Sequence, residues 1–196
     1  MSLALNSCSS KKSVAETLRD QPTEVSKSKS QKLAEDKPAI REWGEATNFN
    51  QSFAKTYAEG QARAAFRRKL ETVISAASRE GNDGATAYHS DGQEASIATD
   101  QGLLNDAFVT QIAEGVTKNL MVINTDTYQQ SDGQYLCYVC VEYNGNIASM
   151  ADAIASDAKK RVGQQVSDEE RAKMEVRQEE FRKAVEEKLN KLQSQE

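Results

Sequence analysis

The sequence predicts an α+β fold: a long helix packed on a small antiparallel sheet, with a peripheral charged helix at the C-terminus. Three observations predict it. Residues 49–78 carry apolar groups every three or four positions, the spacing of one helix face. Residues 119–143 change to an alternation rich in β-branched and aromatic side chains, broken by Ser131-Asp132-Gly133, and read as a hairpin. Residues 168–193 return to a helical period, with only a thin apolar stripe among many charges.

A chain of 196 residues suffices for one domain plus appendages. Its 38% hydrophobic content is unevenly placed, and that placement sets the domain limits. Residues 9–37 are nearly devoid of large apolar groups and the last thirty or so are dominated by charge, whereas about 40–155 can fill an ordinary core. The net charge of −5, with both signs interspersed, argues against nucleic-acid binding, which calls for a basic stripe to neutralise phosphates. No apolar run is long enough to span a bilayer. Three cysteines, two of them close together, do not make a disulfide framework.

At the N-terminus, Leu5-Asn6-Ser7-Cys8 resembles the lipobox of bacterial lipoproteins, with Leu at −3 and a small residue at −1. The resemblance implies that residues 1–8 are the remnant of a signal peptide and that Cys8 bears the lipid. Two or more acyl chains make a stable anchor where one is marginal, each buried methylene contributing about 0.8 kcal/mol. Read without the resemblance, Cys8 is a free thiol in a polar tail. Residues 9–37, as in Ser26-Lys27-Ser28-Lys29-Ser30-Gln31-Lys32, cannot bury enough apolar surface to offset ordering entropy; the expectation is a flexible tether or a loosely formed helix.

The globular part is expected over 38–163. Ile40 and Trp43 lead into it through a short irregular strand or a packed turn, with Trp43 plugging the core over the long helix. Thr47 or Asn48 is the expected N-cap. Phe49, Phe53, Tyr57, Gly60 and Ala64, continued by Phe66, Leu70, Val73, Ile74 and Ala77, form the expected buried stripe, widened by Ala54, Ala58, Ala62 and Ala65. Arg63, Arg67, Arg68, Lys69 and Glu71 suit the wet side. Gly81 is the expected stop.

Residues 81–93 read as loop, with a short possible strand at 85–88. His89, the single histidine, lies beside Ser90 and Asp91, but adjacency in sequence is not a triad. The spacing of Asp83, Asp91 and Glu94 does not match a loop of alternating calcium ligands. A second helical pattern covers 94–118, after which 119–129 and 134–143 are the hairpin strands. Apolar residues on both faces of the second strand argue that it is central or covered twice. Cys137 and Cys140 have C-x-x-C spacing, yet an odd offset within a strand sends the two thiols to opposite faces. They are expected to be buried, unreactive small hydrophobes.

Residues 147–162 are expected to be helical. Ser167-Asp168-Glu169-Glu170 is a capping box opening the last helix, whose stripe of Met174, Phe181, Val185, Leu189 and Leu192 fits peripheral packing in the segment 164–196.

Trp43-Gly44-Glu45-Ala46, the run Ala58-Glu59-Gly60-Gln61-Ala62-Arg63-Ala64-Ala65-Phe66-Arg67-Arg68-Lys69-Leu70 and the late hairpin together resemble the LPP20-type lipoprotein family of Gram-negative envelopes, over roughly residues 40–145. The resemblance implies an α+β lipoprotein exported by a signal peptide to the outer membrane, facing either the periplasm or the surface. It supplies no catalytic residues. The expected function is a lipid-anchored cell-envelope protein with a non-catalytic binding or assembly role. It would be held to the membrane through Cys8, with a protein partner or a second copy, and without cofactor, metal or nucleic acid. Two alternatives stay open: a soluble periplasmic or cytosolic enzyme using the 81–94 loop, with His89 buried beside a carboxylate, and a structural homo-oligomer joined through the last helix.

Overall fold

The computed structural model describes residues 27–86, 106–163 and 168–194. Helix α1, Lys29–Asp36, precedes strand β1, Arg41–Asn48, and the long helix α2, Gln51–Thr86. Helix α3, Asp106–Thr117, leads into the hairpin of β2, Leu120–Gln129, and β3, Tyr135–Tyr143. Helices α4, Ile147–Gly163, and α5, Asp168–Ser194, complete the chain. The three strands form one antiparallel sheet in the order β1-β3-β2, so β3 is central, as apolar residues on both its faces require. The fold is α+β.

The hairpin turn is legible in its residues: Gly133 has φ +84°, and its amide donates to the Gln130 carbonyl at 3.0 Å. At the same end of the sheet, β1 runs out at Asn48 and the long helix opens at Gln51. The Asn50 carboxamide oxygen accepts from the amides of Ser52 and Phe53, making Asn50 the N-cap in place of Thr47 or Asn48. The helix also passes through Gly81 and ends at Thr86, so Gly81 does not stop it.

Helix α2 is buried along a different line from the one its largest residues suggest. Ala54, Ala58, Ala62, Phe66, Leu70, Ile74 and Ala77 are completely buried, whereas Phe49, Phe53 and Tyr57 are exposed. Close approach is the reason. The backbone of Gly44 on β1 lies directly against the turn from Ala58 to Ala62, leaving room there only for methyl groups. Further along, α2 packs against α3 and α5, and Phe66, Leu70 and Ile74 fill the wider space.

Three cations expected on the wet side of α2 tie it to its neighbours, among them Arg67, which pairs with Glu114 of α3 at 3.2 Å. Lys69 Nζ donates to the carbonyls of Pro38 and Arg41 and meets Glu42 at 2.6 Å. Arg63 reaches the carbonyls of Thr117 and Leu120. Arg68 is exposed, as expected. On α5, Val185 and Leu189 are fully buried, and that helix lies on α4 and α2.

The stretch expected to be a flexible tether or a loosely formed helix contains a helix docked on the sheet. Ser28 caps α1 through a capping box, its hydroxyl accepting from the Gln31 amide while the Gln31 side chain accepts from the Ser28 amide. Ordered chain therefore begins before residue 38.

Candidate functional site

Side chains alternate across each strand, so the sheet has one face toward α2 and a second face away from it. Because Gly44 lies against α2, its neighbours Trp43 and Glu45 project from the second face. Trp43 thus does not plug the core over the long helix. Its ring instead meets that of Tyr138, with centroids 6.1 Å apart and planes at 43°. Tyr138 in turn meets Tyr128 edge-on, at 6.2 Å and 77°. The three rings run diagonally across all three strands, one from each.

A β-bulge determines what accompanies them. The pairing of β2 with β3 shifts between Val122 and Asn124, leaving Ile123 as the additional residue. Leu120 and Val122 consequently pair with the core-facing Tyr143 and Val141, while Asn124 and Asp126 pair with Cys140 and Tyr138 on the second face. Strict alternation places Asn124 on the same face as Leu120, and nothing in the residues signals the bulge.

Helix α1 covers half of this second face. The Ser30 amide donates to Asp126 Oδ2 at 2.7 Å, its hydroxyl donates to the Tyr138 carbonyl at 3.2 Å, and Asn124 Nδ2 donates to Ser30 Oγ at 3.0 Å. At the other end of α1, Arg41 donates to the Leu33 carbonyl and pairs with Asp36 and Glu142. Burial works to raise the Asp126 pKa, but the Ser30 amide, the Asn124 carboxamide, the Ser30 hydroxyl and the charge of Lys29 outweigh it and hold the carboxyl below its ordinary value.

The other half of the face is open. Tyr128 is 50% exposed, Glu45 and Thr47 are exposed, and Trp43, Leu136 and Tyr138 are half-buried. Burial first, and then the neighbouring Glu45 carboxylate, push the Tyr138 phenol above its ordinary value. A second exposed aromatic group stands where β1 passes into α2. Phe49, Phe53 and Tyr57 are 72%, 56% and 57% exposed, and the Phe53 and Tyr57 rings lie 6.4 Å apart.

No family model, curated protein or solved structure matches the chain.

Cys8, the proposed lipid-bearing residue, lies outside the described residues, as do His89, Ser90, Asp91 and Glu94. The backbone of Asp83 is helical, near the end of α2. Cys137 and Cys140 are both free and completely buried, and they lie on opposite faces. Cys137 faces α2, with Thr127 Oγ1 at 3.4 Å from its sulfur, whereas Cys140 is on the face that α1 covers. Burial pushes the Cys140 thiol up to about 11, so it stays protonated and a poor nucleophile at neutral pH. Among the described residues, no group of three or more His, Cys, Asp or Glu is placed to hold a metal ion. None of the described helices is long and apolar enough to cross a membrane.

The aromatic row itself was missed in the sequence because its members come from three strands. Trp43, Tyr128 and Tyr138 are brought together only by register.

Proposed function

We propose that this protein is a lipid-anchored component of a bacterial cell envelope, whose domain has a non-catalytic binding or assembly role. The observation that carries the binding role is the exposed cluster of Phe49, Phe53 and Tyr57. Three large aromatic side chains gathered at one corner of a small domain, each more than half in water, mark a surface that another molecule covers. The anchor rests on Leu5-Asn6-Ser7-Cys8, and the family on the likeness of residues 40–145 to LPP20-type lipoproteins.

The two parts of the reading have separate tests. Palmitate labelling of cells expressing the full chain tests the anchor: label is expected on the wild type and absent from Cys8→Ser, and equal labelling of both overturns it. A photoreactive residue at Phe53 tests the binding surface. Illumination in intact cells is expected to give one discrete adduct, a dimer of this chain or a heteromer of defined mass, that the same residue at Arg68 does not give. Identical adducts from both positions would remove the cluster as a binding surface.

A further inference from the structure

We propose that the open half of the second sheet face is a binding site for lysine or arginine side chains on a basic segment of a partner protein. This deepens the binding reading above, on which it rests, and assigns the partner's chemistry to the sheet face that carries Trp43, Tyr138 and Tyr128.

Three features of the face select a cation. The first is the set of rings. Trp43, Tyr138 and Tyr128 present π-systems from three strands, and the rings are tilted or edge-on to one another. They form angled walls and not a continuous flat platform. An ammonium or guanidinium is attracted to such ring faces within about 6 Å of a centroid.

The second feature is an uncompensated negative charge. Glu45 is exposed on the edge strand β1, in register with Tyr138 on the central strand, and has no cationic partner among the described residues. Asp126 is held by Ser30 and Asn124 and feels Lys29 across the edge of α1, Arg41 is paired with Asp36 and Glu142, and Lys27 with Glu35. A basic side chain lying over Trp43 or Tyr138 would complete Glu45 as an ion pair. Charge complementarity therefore commits the occupant to a basic segment. Phosphate-bearing ligands, nucleic acids included, would meet Glu45 with like charge.

The third feature is the layout. The edge of α1 limits the face at Asp126 and Tyr138, and Leu136 and Thr47 lie beyond it at the strand ends toward the hairpin turn. An extended segment crossing the strands would meet the Glu45–Tyr138 pair and then Tyr128, with the Trp43 ring, 6.1 Å from that of Tyr138, at the border with α1.

Trp43 is the chain's only tryptophan, so its emission reports on this face alone. The experiment titrates the full-length Cys8→Ser protein with an acetylated, amidated Gly-Arg-Gly-Arg-Gly-Arg peptide and its lysine counterpart, with a Gly-Glu peptide of equal length as control. Expected is a saturable change in Trp43 emission with the basic peptides and none with the acidic one. Glu45→Gln and Tyr128→Ala, both at exposed positions, should each weaken half-saturation about fivefold or more while leaving the far-ultraviolet dichroism unchanged. An unmoved emission, an equal response to the acidic peptide, or binding untouched by Glu45→Gln would each overturn the proposal. If emission is unmoved while Phe53 still gives its discrete adduct, the basic-segment site fails and the broader binding reading stands.

Discussion

Gly44 on β1 and Ala62 on α2 meet backbone to backbone: a Cβ at Gly44 would stand 2.4 Å from the Ala62 nitrogen and 2.4 Å from the Ala58 carbonyl oxygen. Neither of those atoms belongs to a side chain that could rotate away. Relief requires moving a helix off a strand that also carries Trp43 and Glu45 on its reverse. Gly44→Ala should therefore destabilise the domain by about 1–3 kcal/mol or more, the range for overpacking. Urea unfolding measures it, and an unchanged midpoint would show that α2 does not lie this close to β1.

The contact explains why the sequence was legible in some places and not in others. The hairpin could be read because alternation and the Asp132-Gly133 turn are local signals, and the opposite placement of Cys137 and Cys140 followed from their odd offset alone. The phase of α2 could not. Phe49, Phe53 and Tyr57 have helical spacing, but which face turns inward is decided by Gly44 on another element, whose approach admits only alanine. Trp43 faces away from the core for the same reason, since the glycine beside it takes the inner side. Helix α1 lies in a polar run because it docks through Ser30 and Ala34, which are small and buried, and through hydrogen bonds to Asp126 and Tyr138. The aromatic row depends on the bulge after Val122, which has no local signature.

The Ser30–Asp126 bond makes the docking of α1 sensitive to acid. The folded carboxyl titrates below its ordinary value of 3.8, so the charged form is favoured by folding. Its contribution is complete above the unfolded pKa and is lost as pH falls through the lower, folded one. Asp126→Ala should cost about 1–2 kcal/mol at neutral pH, by removing a charged acceptor from the first turn of α1. The gap between wild type and variant should persist through mildly acidic pH and narrow only as pH falls below the ordinary carboxylate range. Paired urea titrations at several pH values test this; a gap that widens in acid would reverse the sign.

Cys137 and Cys140 are equally inaccessible in the native state but lie behind different doors. Cys137 lies on the face packed on α2, the main core, whereas Cys140 lies on the face over which α1 docks. Local opening of a short helix held mainly by polar contacts is less costly than global unfolding. In a Cys8→Ser background, alkylation mapped by mass spectrometry should find Cys140 modified faster than Cys137, and Asp126→Ala should accelerate Cys140 alone. Equal rates at both thiols, following global unfolding, would show that α1 does not open by itself.

The phase of the long helix is tested most sharply by pairing a large deletion with a small insertion. Phe53→Ala removes a whole aromatic ring, yet that ring is 56% exposed and packs mainly on Tyr57, so stability should move by no more than about 0.5 kcal/mol. Ala58→Leu adds only three carbons, but at a completely buried position facing the Gly44 backbone, and should cost about 1–3 kcal/mol or more. Leu70→Ala, further along the same buried line, should cost about 2–5 kcal/mol, while Arg68→Ala on the wet side should be nearly silent. The ordering matters more than any single value. If Phe53→Ala proved more damaging than Ala58→Leu, the helix would be rotated toward its large aromatics, and Phe49, Phe53 and Tyr57 would belong to the core instead of forming a surface for a partner.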